Sequence, residues 1–171
     1  MNARSTKTAD TAVLVTLTGW RDRVRDELDQ RVLPFWLRHS LDGEHGGYFD
    51  HLDRDGARFD SKKHVGLQAQ ALWVWSRLAT DGKDRPERLA AARSGAEFLR
   101  KHARRGDGRV FALLSADGRA LALDSGPRNE LLFAAAFAEW ARACGESDAR
   151  DFARSALESA LSFAREPERL R

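Results

Sequence analysis

The side chains best suited to acid–base or metal chemistry in this chain are its five histidines. Three of them, His39, His45 and His51, follow one another at intervals of six residues. A zinc site usually shows a closer pair, such as two histidines separated by three residues, with cysteine or glutamate support. The spacing therefore predicts no metal site.

A second candidate is the segment Asp53-Arg54-Asp55-Gly56, which has the alternating acids of a calcium-binding loop. It lacks a third acid, its glycine comes two positions too early, and His64 stands where the closing glutamate would be. Asp-Gly pairs are also typical of tight turns between strands. We therefore expect a turn here and no ion site.

Polar side chains on predicted helices form the third candidate group. Gln68 and Gln70 lie two residues apart in a mostly apolar segment, as ordinary polar helix positions or as part of a pocket. Glu130 comes at the start of a helix, where acidic residues commonly cap the backbone or interact with the helix dipole. The residue types alone do not decide whether Gln68, Gln70 and Glu130 have a structural role or line a pocket.

Five helices and two hairpins are expected to position these side chains. The spacing of apolar residues and the capping signals predict helices over 14–38, 65–78, 86–103, 129–144 and 147–165. The second helix is expected to place Leu67, Ala71, Leu72 and Trp75 on or near one face. Pro34 should kink or restart the first helix. Hairpins are predicted over 46–59, including a short strand at Tyr48 and Phe49, and over 110–123.

An internal repeat links these elements. The segment around Asp55-Gly56 recurs at Asp117-Gly118, and Trp75-Ser76-Arg77 recurs as Trp140-Ala141-Arg142, at offsets of 62 and 65 residues. The repeating unit is therefore a hairpin followed by two helices. Paired helices repeating at this period suggest a toroid or a superhelix of helical hairpins.

The stretch from Leu33 to Gly56 resembles the opening of the N-acylglucosamine 2-epimerase family, which includes the cellobiose 2-epimerases and related aldose–ketose isomerases. The resemblance lies in a helix ending in an aromatic pair, then Gly46-Gly47, a short strand and an Asp-Gly hairpin at the family's spacing. It covers nearly the whole chain from about Trp20, but less than half of the family's domain.

Two later segments also resemble this family. In the inner-helix segment that is most diagnostic of it, the matching residues are Lys63, Val65, Leu67, Gln68 and Trp73. The chain departs from that pattern at His64, Gly66 and Gln70, where the family has an aromatic residue, a tryptophan and an arginine. Arg128-Asn129-Glu130 resembles the opening of another inner helix, with Asn129 in place of a serine.

The resemblance implies an all-α fold, a partial (α/α)6 toroid with about five of twelve helices and short hairpins at the pocket mouth. Residues 1–12 would be a disordered tail, and residues 13–171 the N-terminal part of the barrel domain. The implied substrate-binding residues are Tyr48, Lys63, Gln68, Gln70 and Glu130. It implies no cofactor and no catalytic residue in this chain, because the family's two catalytic histidines lie in the second half of its domain.

Two functional hypotheses follow. The first is the N-terminal part of a sugar 2-epimerase or aldose–ketose isomerase, inactive alone, whose missing half supplies the bases. The second is a non-enzymatic helical scaffold, or a sugar- or protein-binding module, that has lost the catalytic pocket. Gln70 favours the second, since a neutral amide replaces the charged fork that an arginine offers to sugar oxygens.

Composition limits the classes of partner that we expect for this chain. The net charge is only +3, and basic residues are interleaved with acids, so we expect no nucleic-acid partner. No apolar run approaches the ~18 residues of a membrane span, and the single Cys144 allows no internal disulfide. We expect a cytoplasmic setting and a small sugar as ligand. One side of the last two helices is expected to lack packing partners, and its apolar surface comes from Leu131, Leu132, Phe133, Phe137, Phe152, Leu157, Leu161 and Phe163. If three or four of these stay exposed, they should drive self-association or capture of the missing half. The larger aromatic residues are expected mostly in the core, namely Trp36, Phe49, Trp73, Trp75, Phe133, Phe137, Trp140 and Phe163.

Overall fold

A computed structural model describes residues 16–80, 85–123 and 127–165 and shows two compact units, Met1–Arg38 and His39–Arg171. The predicted tail of residues 1–12 lies outside the described residues. Among the helices in the described ranges, none combines the length and apolarity that crossing a bilayer requires.

The first unit is helical throughout its described part. Helix α1 covers 16–27, a π-helical turn follows at Leu28–Val32, and α2 covers Leu33–His39, which ends just past the unit boundary. In the wide turn, the Leu33 N–H donates to the Leu28 carbonyl, five residues back. Pro34 follows directly, and its ring would crowd the carbonyl four residues back in a regular helix. The irregularity predicted near Pro34 is therefore present as a wide turn just before it.

The second unit contains two copies of the predicted repeat. The first has strands β1 (His51–Leu52) and β2 (Arg58–Asp60), then, after β3 (Lys63–His64), helices α3 (Val65–Ala79) and α4 (Arg85–His102). The second has β4 (Phe111–Leu114) and β5 (Ala120–Leu123), then α5 (Pro127–Cys144) and α6 (Ser147–Arg165). These bounds confirm the predicted helices to within two residues wherever the structure describes both ends.

The strands form two small antiparallel sheets. Strand β1 pairs with β2, and β4 lies between β3 and β5, so the segment leading into α3 is joined to the second hairpin. The predicted strand at Tyr48 and Phe49 is wrong, because Tyr48 makes only an isolated bridge with Leu41 and the ladder begins at His51.

A glycine and a histidine close each hairpin turn in the same way. Gly56 and Gly118 have φ angles of +86° and +87°. A Cβ added to Gly56 would lie 2.3 Å from Nδ1 of His39, at the end of α2, and one added to Gly118 would lie 2.2 Å from Nδ1 of His102, at the end of α4. Each turn therefore requires glycine both for its backbone conformation and for the histidine ring against it.

Helix α5 packs against α3 and α6, and aromatic residues fill the space between them. Phe133 and Phe137 have no exposed surface, and the Phe152 ring lies 5.5 Å and 4.6 Å from theirs. Both phenylalanines are therefore in the core, as expected, and α6 covers them. Three others of the apolar residues predicted to form the unpartnered side are exposed, namely Leu131 at 48%, Leu157 at 44% and Leu161 at 45%. Phe163 lies among the side chains that the structure does not describe.

The aromatic and apolar residues of α3 divide differently from the prediction. Leu72 and Trp75 are buried, as expected, but Leu67 is 46% and Trp73 43% exposed. Leu67 therefore lies outside the buried part of the face on which the sequence places it. Along the helix, Leu67, Gln70 and Val74 follow at spacings of three and four residues, so they share one exposed face.

Candidate functional site

Lys63 lies at the centre of the site and has no solvent-exposed surface. Its ammonium donates to Asp42 Oδ2 at 2.8 Å, to the Gly46 carbonyl at 2.6 Å and to the Ala116 carbonyl at 3.1 Å. It also lies 4.1 Å from the centre of the Phe98 ring. A lysine has three N–H donors, so these three acceptors use all of them.

Asp42 is the buried partner of this lysine, with a side chain only 2% exposed. Its other oxygen, Oδ1, accepts the backbone N–H groups of Glu44 and His45 at 3.0 and 3.1 Å. Burial pushes the pKa of Asp42 upward, but the hydrogen bond from Lys63 and those from the loop backbone outweigh it, so the pKa is lowered overall. The ionised side chains of Asp42 and Lys63 therefore hold the loop of residues 42–46 in place.

We expect this lowered pKa to make stability depend on pH. A carboxyl whose folded-state pKa lies below its unfolded value stabilises the protein above the unfolded pKa, and this contribution disappears as the pH falls through the folded pKa. In Asp42→Asn the group cannot ionise. The difference in unfolding free energy between wild type and D42N should therefore be largest near pH 7 and shrink below about pH 4. Urea titrations at several pH values measure it, and a difference that stays constant down to pH 3 would contradict this role.

Tyr48 and Gln68 form a second buried pair. The Gln68 amide accepts the Tyr48 N–H at 2.9 Å and donates to the Tyr48 carbonyl at 2.6 Å and to Asp50 Oδ1. The Tyr48 hydroxyl donates to the Ala91 carbonyl, and burial raises the pKa of this phenol above its usual range. Both side chains therefore connect the first hairpin to α3 and α4.

Two glycines make room for this pair. A Cβ on Gly47 would lie 2.7 Å from the Gln68 oxygen, and one on Gly95 would lie 2.3 Å from the Tyr48 hydroxyl oxygen. The Asp50 carboxyl receives the Gln68 amide and the His64 backbone N–H. Burial raises the pKa of Asp50 despite these hydrogen bonds.

Glu130 occupies the first turn of α5 and is 1% exposed. Its Oε1 lies 3.3 Å from the Val110 backbone nitrogen and 3.4 Å from Arg109 Nε. The carboxylate thus links the start of α5 to the segment leading into β4, at the end of the helix that favours negative charge.

The helices α3 and α5 begin in contact with each other through Gly66 and Asn129. A Cβ on Gly66 would lie 2.5 Å from Asn129 Oδ1. These are two of the positions at which the sequence departs from the pattern it resembles. Asn129, which is longer than the serine of the family pattern, occupies the space beside Gly66, which has no side chain. The two residues that differ from the family pattern are therefore in contact.

The structure separates the five predicted site residues into two groups. Tyr48, Lys63, Gln68 and Glu130 are buried, whereas Gln70 is exposed on α3. Tyr48 and Gln68 are in direct contact, and Lys63 binds the loop just before them. Their contact with a substrate stays a prediction. Sequence reasoning missed Asp42 and Asp50 as partners, since their contacts lie 21 and 18 residues away along the chain.

A cleft of about 460 Å³ lies along α4. His45, Arg93, Glu97 and Lys101 are among the residues that line it. Of the predicted site residues, none lines this cleft, so we do not place the sugar site there.

Comparison with known proteins supports one family throughout. The model of the N-acylglucosamine 2-epimerase family matches residues 47–170. N-acylglucosamine 2-epimerase of Bos taurus is 37% identical over 155 residues, which is 88% of this chain and 36% of that protein. The Homo sapiens protein of that name is 39% identical over 135 residues, or 77% of this chain and 31% of that protein. The chain thus spans about a third of the length of these relatives.

Solved structures show the same fold. Cellobiose 2-epimerase from Spirochaeta thermophila superposes with a TM-score of 0.76 at 24% identity, over 86% of this chain and 36% of that one. A D-mannose isomerase superposes with a TM-score of 0.67 at 20% identity, over 74% of this chain and 32% of that one. The predicted partial (α/α)6 toroid is therefore confirmed. Because the family model matches most of its length, this chain belongs to the N-acylglucosamine 2-epimerase family.

Proposed function

We propose that this chain forms part of the pocket wall of a sugar 2-epimerase or aldose–ketose isomerase. The observation that carries the proposal is the pair of neighbouring helices α3 and α5, which begin in contact and each leave one face exposed. On α3 this face bears Leu67, Gln70 and Val74, and on α5 it includes Leu131. In this family α3 and α5 are expected to be inner helices of the barrel. We assign their exposed faces to sugar binding.

The proposed reaction removes the proton on the carbon next to the sugar carbonyl and returns it on the other face or to the neighbouring carbon. It needs positioned bases and hydrogen-bond donors for the oxygen that gains negative charge. In this proposal Gln70 faces the sugar, whereas Lys63 and Gln68 hold the hairpin and the loop in place. The bases come from the part of the domain that this chain does not span.

The second candidate is a scaffold or binding module without catalysis. It is favoured by the internal use of the polar groups, since the donors of Lys63 and the amide of Gln68 are all bonded within the chain. A neutral Gln70 is then the only one of the five predicted residues that remains exposed for a ligand.

A chimera distinguishes the two candidates. We expect the 171-residue chain alone to catalyse no exchange of the C2 proton of N-acylglucosamine with deuterated water, followed by NMR. Joined to the remaining two thirds of the Bos taurus relative, it should catalyse exchange above a mock preparation. The unmodified relative is the positive control. A chimera that folds and stays inactive would favour the scaffold, and turnover by the chain alone would contradict the division of roles.

Gln70 gives a sharper test within the active chimera. Gln70→Arg introduces a charged fork, and a charge-assisted hydrogen bond contributes about 1.5–3 kcal/mol, so kcat/KM should rise on the order of tenfold or more. Gln70→Lys adds the same charge without the planar fork and should give a smaller gain. Equal constants for all three proteins would show that this position does not face the sugar.

A further inference from the structure

Three side chains that can bind a metal meet where β1 approaches the start of α3. One ligand atom from each of Asp50, His51 and His64 lies within 4.8 Å of the other two. The two imidazole rings have centroids 5.3 Å apart, and His64 Nδ1 is 3.4 Å from Asp50 Oδ2. Of the three evenly spaced histidines in the sequence, only His51 belongs to this set, and the fold brings it together with His64 from a separate segment.

The separations suit a small tetrahedral ion. Zinc bonds of about 2.0–2.1 Å place ligand atoms roughly 3.3 Å apart, which the His64–Asp50 pair already matches. A ligand atom at the limit of 4.8 Å has to approach by only about 1.5 Å. The His64 side chain is 46% exposed, so rotation about its own bonds can supply this movement.

The carboxylate of the set is already oriented. The Asp50 side chain is 2% exposed and accepts the His64 backbone N–H and the Gln68 amide. Each carboxylate oxygen has two acceptor sites, so both oxygens can still bind a cation. Hydrogen bonds that hold a ligating side chain in its orientation accompany most protein metal sites.

His51 supplies an independent observation. Among the described residues, its Nδ1 is buried and makes no hydrogen bond. Buried polar nitrogens in native proteins nearly always have a partner. Coordination through this nitrogen would provide one, while the ring also contacts the rings of Phe59 and His64.

We infer that Asp50, His51 and His64 bind one divalent transition-metal ion. Two imidazoles and one carboxylate suit Zn²⁺, whereas Ca²⁺ and Mg²⁺ prefer oxygen ligands alone. Three protein ligands leave a coordination position for water on the exposed side of His64. The positive end of α3 at His64 opposes a cation, so we expect micromolar affinity. The site does not depend on the sugar function proposed above.

Calorimetric titration of the intact chain with zinc chloride tests the site. We expect one Zn²⁺ per chain, binding weakened at least tenfold in both His51→Gln and His64→Gln, and no heat with calcium or magnesium chloride. His45→Gln is the matched control, since it removes a histidine outside the set and should bind like wild type. Absence of zinc binding at millimolar concentration, or an equal loss in H45Q, would overturn the assignment.

Imidazole NMR of the wild-type chain keeps the test independent of how the variants fold. Long-range proton–nitrogen spectra report each histidine ring separately. Zinc should shift the ring nitrogens of His51 and His64 and leave those of His39 and His102 in place. Shifts confined to other histidines would rule the site out.

Discussion

Lys63→Met should destabilise this protein by about 3–5 kcal/mol, the usual result of removing one partner from a buried ion pair. The variant leaves the Asp42 carboxylate without its cation in a site where its side chain is 2% exposed. It also removes the donor from two backbone carbonyls, those of Gly46 and Ala116. Since a typical domain has only about 5–15 kcal/mol of stability, K63M should be close to unfolding.

Lys62→Met is the matched control. This neighbouring lysine has a side chain 54% exposed and lies 3.6 Å from Asp60. Exposed ion pairs contribute about 0–1 kcal/mol, so K62M should melt nearly as wild type does. Urea unfolding followed by circular dichroism compares the two, and the double variant K63M/D42N should recover part of the loss. Equal midpoints for K62M and K63M would show that the buried pair is not what holds the loop.

Gly118→Ala should cause the second largest loss, about 2–5 kcal/mol. A positive φ costs a residue with a side chain about 1–2 kcal/mol, and overpacking against a ring adds about 1–3 kcal/mol. Gly118 has φ +87°, and its added methyl would meet the His102 ring at 2.2 Å. Thermal and urea unfolding of the variant measure the sum of both effects.

Gly145→Ala separates the two contributions. Gly145 has a similar φ of +78°, but a Cβ there would meet nothing within 4 Å. G145A should therefore show only the conformational loss. In a His102→Ala background, the effect of G118A should fall to that of G145A, because the ring is gone. If G118A and G145A were equally destabilising in the wild-type background, the histidine would not be pressing on the turn.

The helices and hairpins could be predicted from sequence because their signals are local. Pro86 at a helix start, Gly145 at a helix end and the two Asp-Gly turns each act within a few residues. The repeat was also visible, since it rests on identical short segments. These signals fixed the order of elements and, through the resemblance, the partial toroid.

The buried contacts of the site could not be predicted in this way. Lys63 was expected to bind a sugar, but its acceptors lie 21, 17 and 53 residues away, and no spacing rule reveals such pairs. Likewise, Phe137 was expected in the core, but its contact with the Phe152 ring, 4.6 Å away on the next helix, could not be predicted from α5 alone. Helical periodicity gives the apolar side of a helix only approximately, and the 46% exposure of Leu67 shows that the neighbouring elements decide how much of that side is covered.

The hydrogen bond from Lys63 to Ala116 joins the first repeat to the hairpin of the second. In repeat architectures, stability is approximately the sum of each unit's own stability and the interfaces between neighbours. The buried ion pair of Lys63 and Asp42 lies at this interface. Unfolding one repeat alone would expose the pair to water or remove one of its hydrogen-bond partners, so separating the repeats is unfavourable. The two repeats should therefore unfold together as one cooperative block, and a half-folded chain with one repeat intact should hardly be populated.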